Sequence, residues 1–108
     1  MKVKLVVYVP IAAADRVRQA IGRAGAGQIG KYSLCSFSSR GQGRFLPLAG
    51  AKPAIGQVGQ IEVVEEERIE VTCEEDLLTK VIKAMKDAHP YEEVAYDVYQ
   101  LSNIDERD

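Results

Sequence analysis

The only histidine of this chain stands in the run His89-Pro90-Tyr91-Glu92-Glu93. Imidazole nitrogens and carboxylate oxygens ligate metals, and a metal centre takes three or four such groups. His89 and Glu92 are therefore candidate ligands for a divalent metal, in a site that Cys35 or a second subunit would have to complete. The plainer reading is a helix exit, with His89 near the helix C-terminus, Pro90 closing the segment and Tyr91 packing.

A second run, Gly25-Ala26-Gly27-Gln28-Ile29-Gly30, matches G-x-G-x-x-G. The dinucleotide-binding form of that motif follows a strand and opens a helix, so that a pyrophosphate meets the helix N-terminus. Here the flanking patterns put a helix before the glycines and a strand after them, and the peptide dipole points the wrong way. A helix C-cap with a tight chain crossing accounts for the glycines. Gly25, Gly27 and Gly30 stay candidates only as a backbone-amide nest for some other anion.

Cys35 and His89 make a nucleophile and base on paper. Leu34, Ser36 and Phe37 flank Cys35 in a strand pattern, however, where a small buried thiol is the ordinary reading. Lys31, Arg40, Arg44 and Lys52 gather near Tyr32, Phe37 and Phe45, a composition that can bind single-stranded nucleic acid. A sequence pI of about 5.4 argues against a general phosphate binder. No run amounts to a complete active site, so no catalytic residue is assigned and the chain is expected to be non-enzymatic.

Hydrophobic spacing predicts the elements that must position these groups. Residues 2–9 alternate around Val3, Leu5, Val7 and Val9, with Val6 and Tyr8 on the other face, which predicts a central strand ended by Pro10. Over 12–24, Ala14, Val17, Ile21 and Ala24 make one helical stripe, with Gly25 as its C-cap. Residues 32–38 and 44–49 are expected as two strands of a hairpin turning at Arg40-Gly41-Gln42-Gly43, followed by a loop over 50–59. Residues 60–73 predict a long strand that bends, bulges or leaves the core at Glu65 and Glu67. Leu77, Leu78, Val81, Ile82, Met85 and Ala88 predict a helix over 75–88, with Glu74, Glu75 and Asp76 at its positive end. Val94, Tyr96 and Val98 mark a last strand over 93–101. The order β-α-β-β-β-α-β, less one hairpin strand, is an α+β ferredoxin-like pattern. Two helices would cover one face of an antiparallel sheet, leaving the other for a neighbouring subunit.

The chain has 108 residues, 46% hydrophobic and 28% charged, which suits one domain over 1–101 with a polar tail at 102–108. No stretch approaches the roughly 20 apolar residues that cross a bilayer. Lys2, Lys4 and the apolar run before Ala12-Ala13-Ala14 mimic a short signal peptide, but Pro10 interrupts the run and a core strand is the better reading. Two cysteines without short spacing read as reduced thiols, and the expected location is cytoplasmic. Charge is uneven. Residues 1–60 hold nine Lys/Arg against one acidic residue, a net +8; residues 61–108 hold five against fifteen, a net −10. Either the fold interleaves the halves, or the asymmetry serves association.

The segment from Gly25 to Gly59 reads G-A-G-Q-I-G-K-Y-S-L-C-S-F-S, then G-Q-G-R-F-L-P, then G-A-K-P-A-I-G-Q-V-G. It resembles the insertion domain of the YqfO-type, NIF-three-like dinuclear-metal proteins. The closing H-P-Y-E-E-V-A-Y-D-V-Y resembles the same domain, and H-P-Y-E recurs in CutA proteins. The resemblance spans residues 3–101. It implies a PII/CutA-like domain, inserted in that family between two metal-binding halves, and trimers in which hairpin strands reach a neighbour. The family's metal ligands lie in the halves this sequence lacks, so none transfers here and no cofactor is expected.

These readings converge on a homo-oligomeric, regulatory or ligand-sensing PII/CutA-like module, expected as a trimer. Gly25, Gly27, Gly30, Arg40 and Arg44 are its candidate ligand contacts. Arg40 and Arg44 of one subunit would meet Glu65, Glu66 and Glu67 of another, with Tyr91 at the same junction. The alternative is a divalent-metal protein using His89 and Glu92 between subunits. The partner expected is the chain itself, with a small molecule or metal as ligand, and neither membrane nor nucleic acid.

Overall fold

The computed structural model describes residues 1–102; of the polar tail expected at 102–108, all but Ser102 lies outside the described residues. Its elements are β1 (Lys2–Pro10), α1 (Ile11–Arg23), β2 (Phe37–Phe45), β3 (Glu62–Glu74), α2 (Leu78–Ala88, entered through a 3₁₀ turn at Glu75–Leu77) and β4 (Tyr96–Gln100). The strands form one sheet in the order β2-β3-β1-β4, every pair antiparallel.

The period-two pattern of β1 decides which face is dry. Val3, Leu5, Val7 and Val9 share a side with Ile69, Val71 and Cys73 of β3, and all are buried. Both helices cover that side. α1 contributes Ala13, Ala14, Val17 and Ile21, and α2 contributes Val81 and Met85, all in one core cluster. Half-buried Leu77, Leu78, Ile82 and Tyr96 close its margin. Each large aliphatic side chain buried this way contributes roughly 1.5–3 kcal/mol, which is why a two-layer domain of this length holds together.

α1 stops in a Schellman motif. Ala26 N–H donates to the Ile21 carbonyl and Gly25 N–H to the Gly22 carbonyl. Gly25 takes φ +119°, which a side chain would resist. Gly27 then runs beside β3, donating to the Thr72 carbonyl at 2.7 Å while its own carbonyl accepts from Cys35 N–H at 2.9 Å.

Two expectations are corrected and a third is narrowed. There is no hairpin at Arg40-Gly41-Gln42-Gly43: these residues lie inside β2, one continuous strand, and the observed order is β-α-β-β-α-β. The glycines suggested a turn, but thirteen-residue β3 offers a full ladder that pairs Gly41 with Glu66 and Gly43 with Val64. β3 carries no bulge, because its register runs unbroken from Glu62 to Glu74; of the alternatives expected at Glu65 and Glu67 it takes the last and leaves the core, since β1 pairs with it only as far as Glu66. Cys35 lies before β2 in the 24–36 connection and is half-buried, not mid-strand.

Antiparallel pairing also interleaves the charged halves. Arg40 faces Glu67, Gln42 faces Glu65 and Lys2 faces Glu74 across the ladders. Arg18 on α1 anchors this edge, with Nη1 at 2.7 Å from Glu67 Oε1 and 2.9 Å from Ser38 Oγ. No described helix is long and apolar enough to cross a membrane.

Candidate functional site

β1 pairs with β3 only as far as Pro10 opposite Glu66, while β2 follows β3 on to Phe45 opposite Glu62. The β2–β3 ribbon therefore projects beyond the sheet. At its base lies a groove of about 730 Å³. One wall is β2 and the chain after it, including Phe45, Leu46 and Leu48; another is the loop at Pro53 and Ile55; the third is Tyr91 and its neighbours.

The groove floor belongs to the sheet face that the helices leave open. Cross-strand partners share a face, so Ser39, Arg68 and Tyr8 stand in one row and Gly41 and Glu66 in the next. Glu66 is 8% exposed. Its side chain lies across the bare backbone of Gly43, where a Cβ would collide with the carboxylate. Tyr91 Oη donates to Glu66 Oε2 at 3.4 Å, and the Tyr91 ring meets Phe45 edge-on at 5.8 Å between centroids. Burial pushes the Glu66 carboxyl up from its ordinary range, and the Tyr91 hydroxyl opposes that only in part. The Tyr91 phenol is itself pushed up to about 12, by burial first and then by the charge and hydrogen bond of Glu66 and the charge of Glu62.

His89 fixes the wall that carries Tyr91. It is buried, Nδ1 accepts from Tyr91 N–H at 3.1 Å, and Nε2 lies 2.7 Å from the Tyr8 carbonyl. A carbonyl only accepts, so the proton sits on Nε2 and the ring is neutral. Burial pulls its pKa down, the nearby Arg16 charge adds to that, and the Tyr8 bond opposes it. Both ring nitrogens are thus engaged within the chain. Glu92 turns away, accepting from Lys52 N–H at 3.0 Å and tying the 46–61 loop to the wall. Among the described residues no three His, Cys, Asp or Glu side chains converge as a metal would require.

The other sequence-derived candidates disperse. Gly25 and Gly30 line a separate cleft of about 230 Å³ beside Lys2, Thr72 and Glu74, away from Arg40 and Arg44, which line the large groove. The acidic run splits by parity: Glu65 is exposed and accepts from Gln42, Glu67 pairs with Arg18, and only Glu66 enters the groove. Phe45, Leu48, Gly43 and Arg68 were missed as groove residues. The signal for Gly43 was a strand-like alternation around glycines that mimic a turn.

No protein-family model matches this chain. A curated relative of Bacillus subtilis, named GTP cyclohydrolase 1 type 2 homolog, is 56% identical over 98 residues, 91% of this chain and 26% of the relative. The solved structure of a Bacillus cereus protein related to NIF3 superimposes with a TM-score of 0.83 at 56% identity, covering 94% of this chain and 26% of that one. The chain thus spans about a quarter of the length of the relatives it matches. The PII-like protein CutA of Nostoc sp. PCC 7120 shares the fold, with a TM-score of 0.67 over 97% of this chain and 85% of its own, at 14% identity.

Proposed function

We propose that this chain, a homologue of the PII/CutA-like segment of the NIF3-related proteins, acts as a non-enzymatic homo-oligomeric module that senses a small ligand. The observation that carries this reading is the projecting ribbon. The molecule measures 54 × 23 × 22 Å, with a radius of gyration of 15.2 Å, against about 13 Å for a compact chain of this length. A two-stranded ribbon is marginal by itself. This one exposes Ile61 and Val63 at its far end and Val58 on the loop that joins its strands. A second copy laid along the ribbon buries these side chains and covers the open face of the sheet.

Arg40 and Arg44 support the same reading. They stand on exposed edge strand β2 and have no carboxylate within 4.0 Å among the described residues. They are available to acidic groups of a neighbour, while Glu67 is held by Arg18. The relatives' name refers to proteins four times as long, so catalysis is not carried over to this chain. Sedimentation velocity at low and high salt tests the assembly. A discrete oligomer at low salt is expected, and a monomer at both salt concentrations overturns the reading.

A further inference from the structure

We propose that the groove at the ribbon base binds an amphipathic organic cation, an ammonium or amidinium group on an apolar body, and that Glu66 Oε1 receives its N–H. This rests on the sensing role above and names the ligand class.

Binding clefts for small molecules run to roughly 300–1,000 Å³, apolar with a few placed polar groups. The groove, at about 730 Å³, has Phe45, Leu46, Leu48, Pro53 and Ile55 for walls. Its floor holds a carboxylate more than nine-tenths buried. Tyr91 satisfies Oε2, but Oε1 has no hydrogen-bond partner among the described residues, and it is not sealed from the groove. Burying a carboxylate that is half satisfied is costly, and a donating cation removes that cost.

The groups nearest the Glu66 carboxylate favour a positive head group. The rings of Phe45 and Tyr91 stand together beside the carboxylate and offer π faces or edges to a cation. The Glu62 charge reaches Tyr91, and Glu93 lines the groove, while Glu92 is held by Lys52 N–H. Two of the three groove arginines stand apart from Glu66. Arg40 and Arg44 belong to the opposite parity of β2, in register with Glu67 and Val63. Arg68 stands one row from Glu66 on the same face, and its Nε is buried with no hydrogen-bond partner among the described residues, so the groove also holds a donor of the chain's own.

The test is calorimetry with phenethylammonium and benzamidinium on the wild type, Glu66→Gln and Glu65→Gln, with 2-phenylethanol as the neutral isostere. Binding is expected to weaken about tenfold or more in Glu66→Gln, as for loss of a charged hydrogen bond, and to stay unchanged in Glu65→Gln; the alcohol should give no heat. An arginine side chain of a second copy carries the same chemistry. Sedimentation of these samples separates the sources: a free-ligand site leaves the assembly intact when filled, whereas an amine that dissociates it has displaced a neighbour's cation, and either result assigns the cation to Glu66. No heat from the cations at millimolar concentration, or equal heats from wild type and Glu66→Gln, overturns the inference. That failure leaves the assembly reading standing, because assembly is measured separately.

Discussion

His89 joins the end of α2 to the middle of the sheet, its Nε2–H donating to the Tyr8 carbonyl at 2.7 Å. The same ring accepts from Tyr91 N–H, so one side chain fixes both β1 and the wall of the groove.

Replacing His89 by Ala leaves the Tyr8 carbonyl and the Tyr91 amide without their partner. Each unsatisfied buried group costs about 1–3 kcal/mol, and a loss of about 2–4 kcal/mol is expected. Urea unfolding measures it, and zinc added to the wild type should raise stability no more than it does in the variant. A zinc-dependent stabilisation confined to the wild type would restore the metal reading of His89.

Acid should weaken the fold through the same ring. The folded-state pKa of His89 lies below its unfolded value, so its contribution is fully present above pH ~6.5 and is lost as the pH falls through the lowered folded value. Protonation would put an N–H on Nδ1 facing the Tyr91 N–H. Unfolding free energies between pH 7.5 and 5 should fall more steeply for the wild type than for His89→Ala.

Glu66 runs the opposite way. Its folded pKa is raised, so its favourable contribution is present below pH ~4.5 and is lost as the pH rises through the folded value. Glu66→Gln keeps an acceptor for the Tyr91 hydroxyl and removes the buried charge. It should gain about 1 kcal/mol at pH 7.5, and the gain should shrink as the pH falls toward 4.5. Thermal melts across that range check it, and a Tm for Glu66→Gln below that of the wild type at neutral pH contradicts it.

Gly43→Ala puts a methyl group where the Glu66 carboxylate lies. Overpacking of this kind costs about 1–3 kcal/mol. Combined with Glu66→Ala the clash has no partner, so the double variant should lose less than the sum of the two single ones. A cycle that is additive within 0.5 kcal/mol, roughly the error for independent sites, would show that the two residues do not meet.

Arg18→Ala should cost about 1.5–3 kcal/mol, the usual range for hydrogen bonds to charged groups, because its partners Glu67 and Ser38 sit on the sheet and are largely shielded. Lys83→Ala, which removes an exposed pair with Asp87 on one helix face, should change stability by less than about 0.5 kcal/mol. Equal losses in the two variants would mean that the Arg18 network does not hold α1 to the sheet.

Much of this fold was legible in the chain because its cause is local. The alternation in β1 and the i, i+3, i+7 stripe of Ala14, Val17 and Ile21 identify buried faces through backbone periodicity alone, and the structure buries those residues. Gly25 marked the end of α1 for an equally local reason, its left-handed backbone. Residues 40–43 read as a turn because glycine is foremost a turn residue, but it also stands in strands where another group approaches closely, and here that group is the Glu66 side chain, from more than twenty residues away.

The sequence by itself therefore determined the class of fold, the residues of the core and the charge of each half, since these depend on spacing and composition. Only the tertiary structure decided that His89 is a neutral strut, that Arg40 and the glycine run serve different clefts, and that one glutamate of the three in Glu65-Glu66-Glu67 is buried. Strand parity sends neighbours to opposite faces, and which face closes over depends on what packs there: Arg18 beneath Glu67, Tyr91 and Gly43 around Glu66, while Glu65 stays exposed beside Gln42.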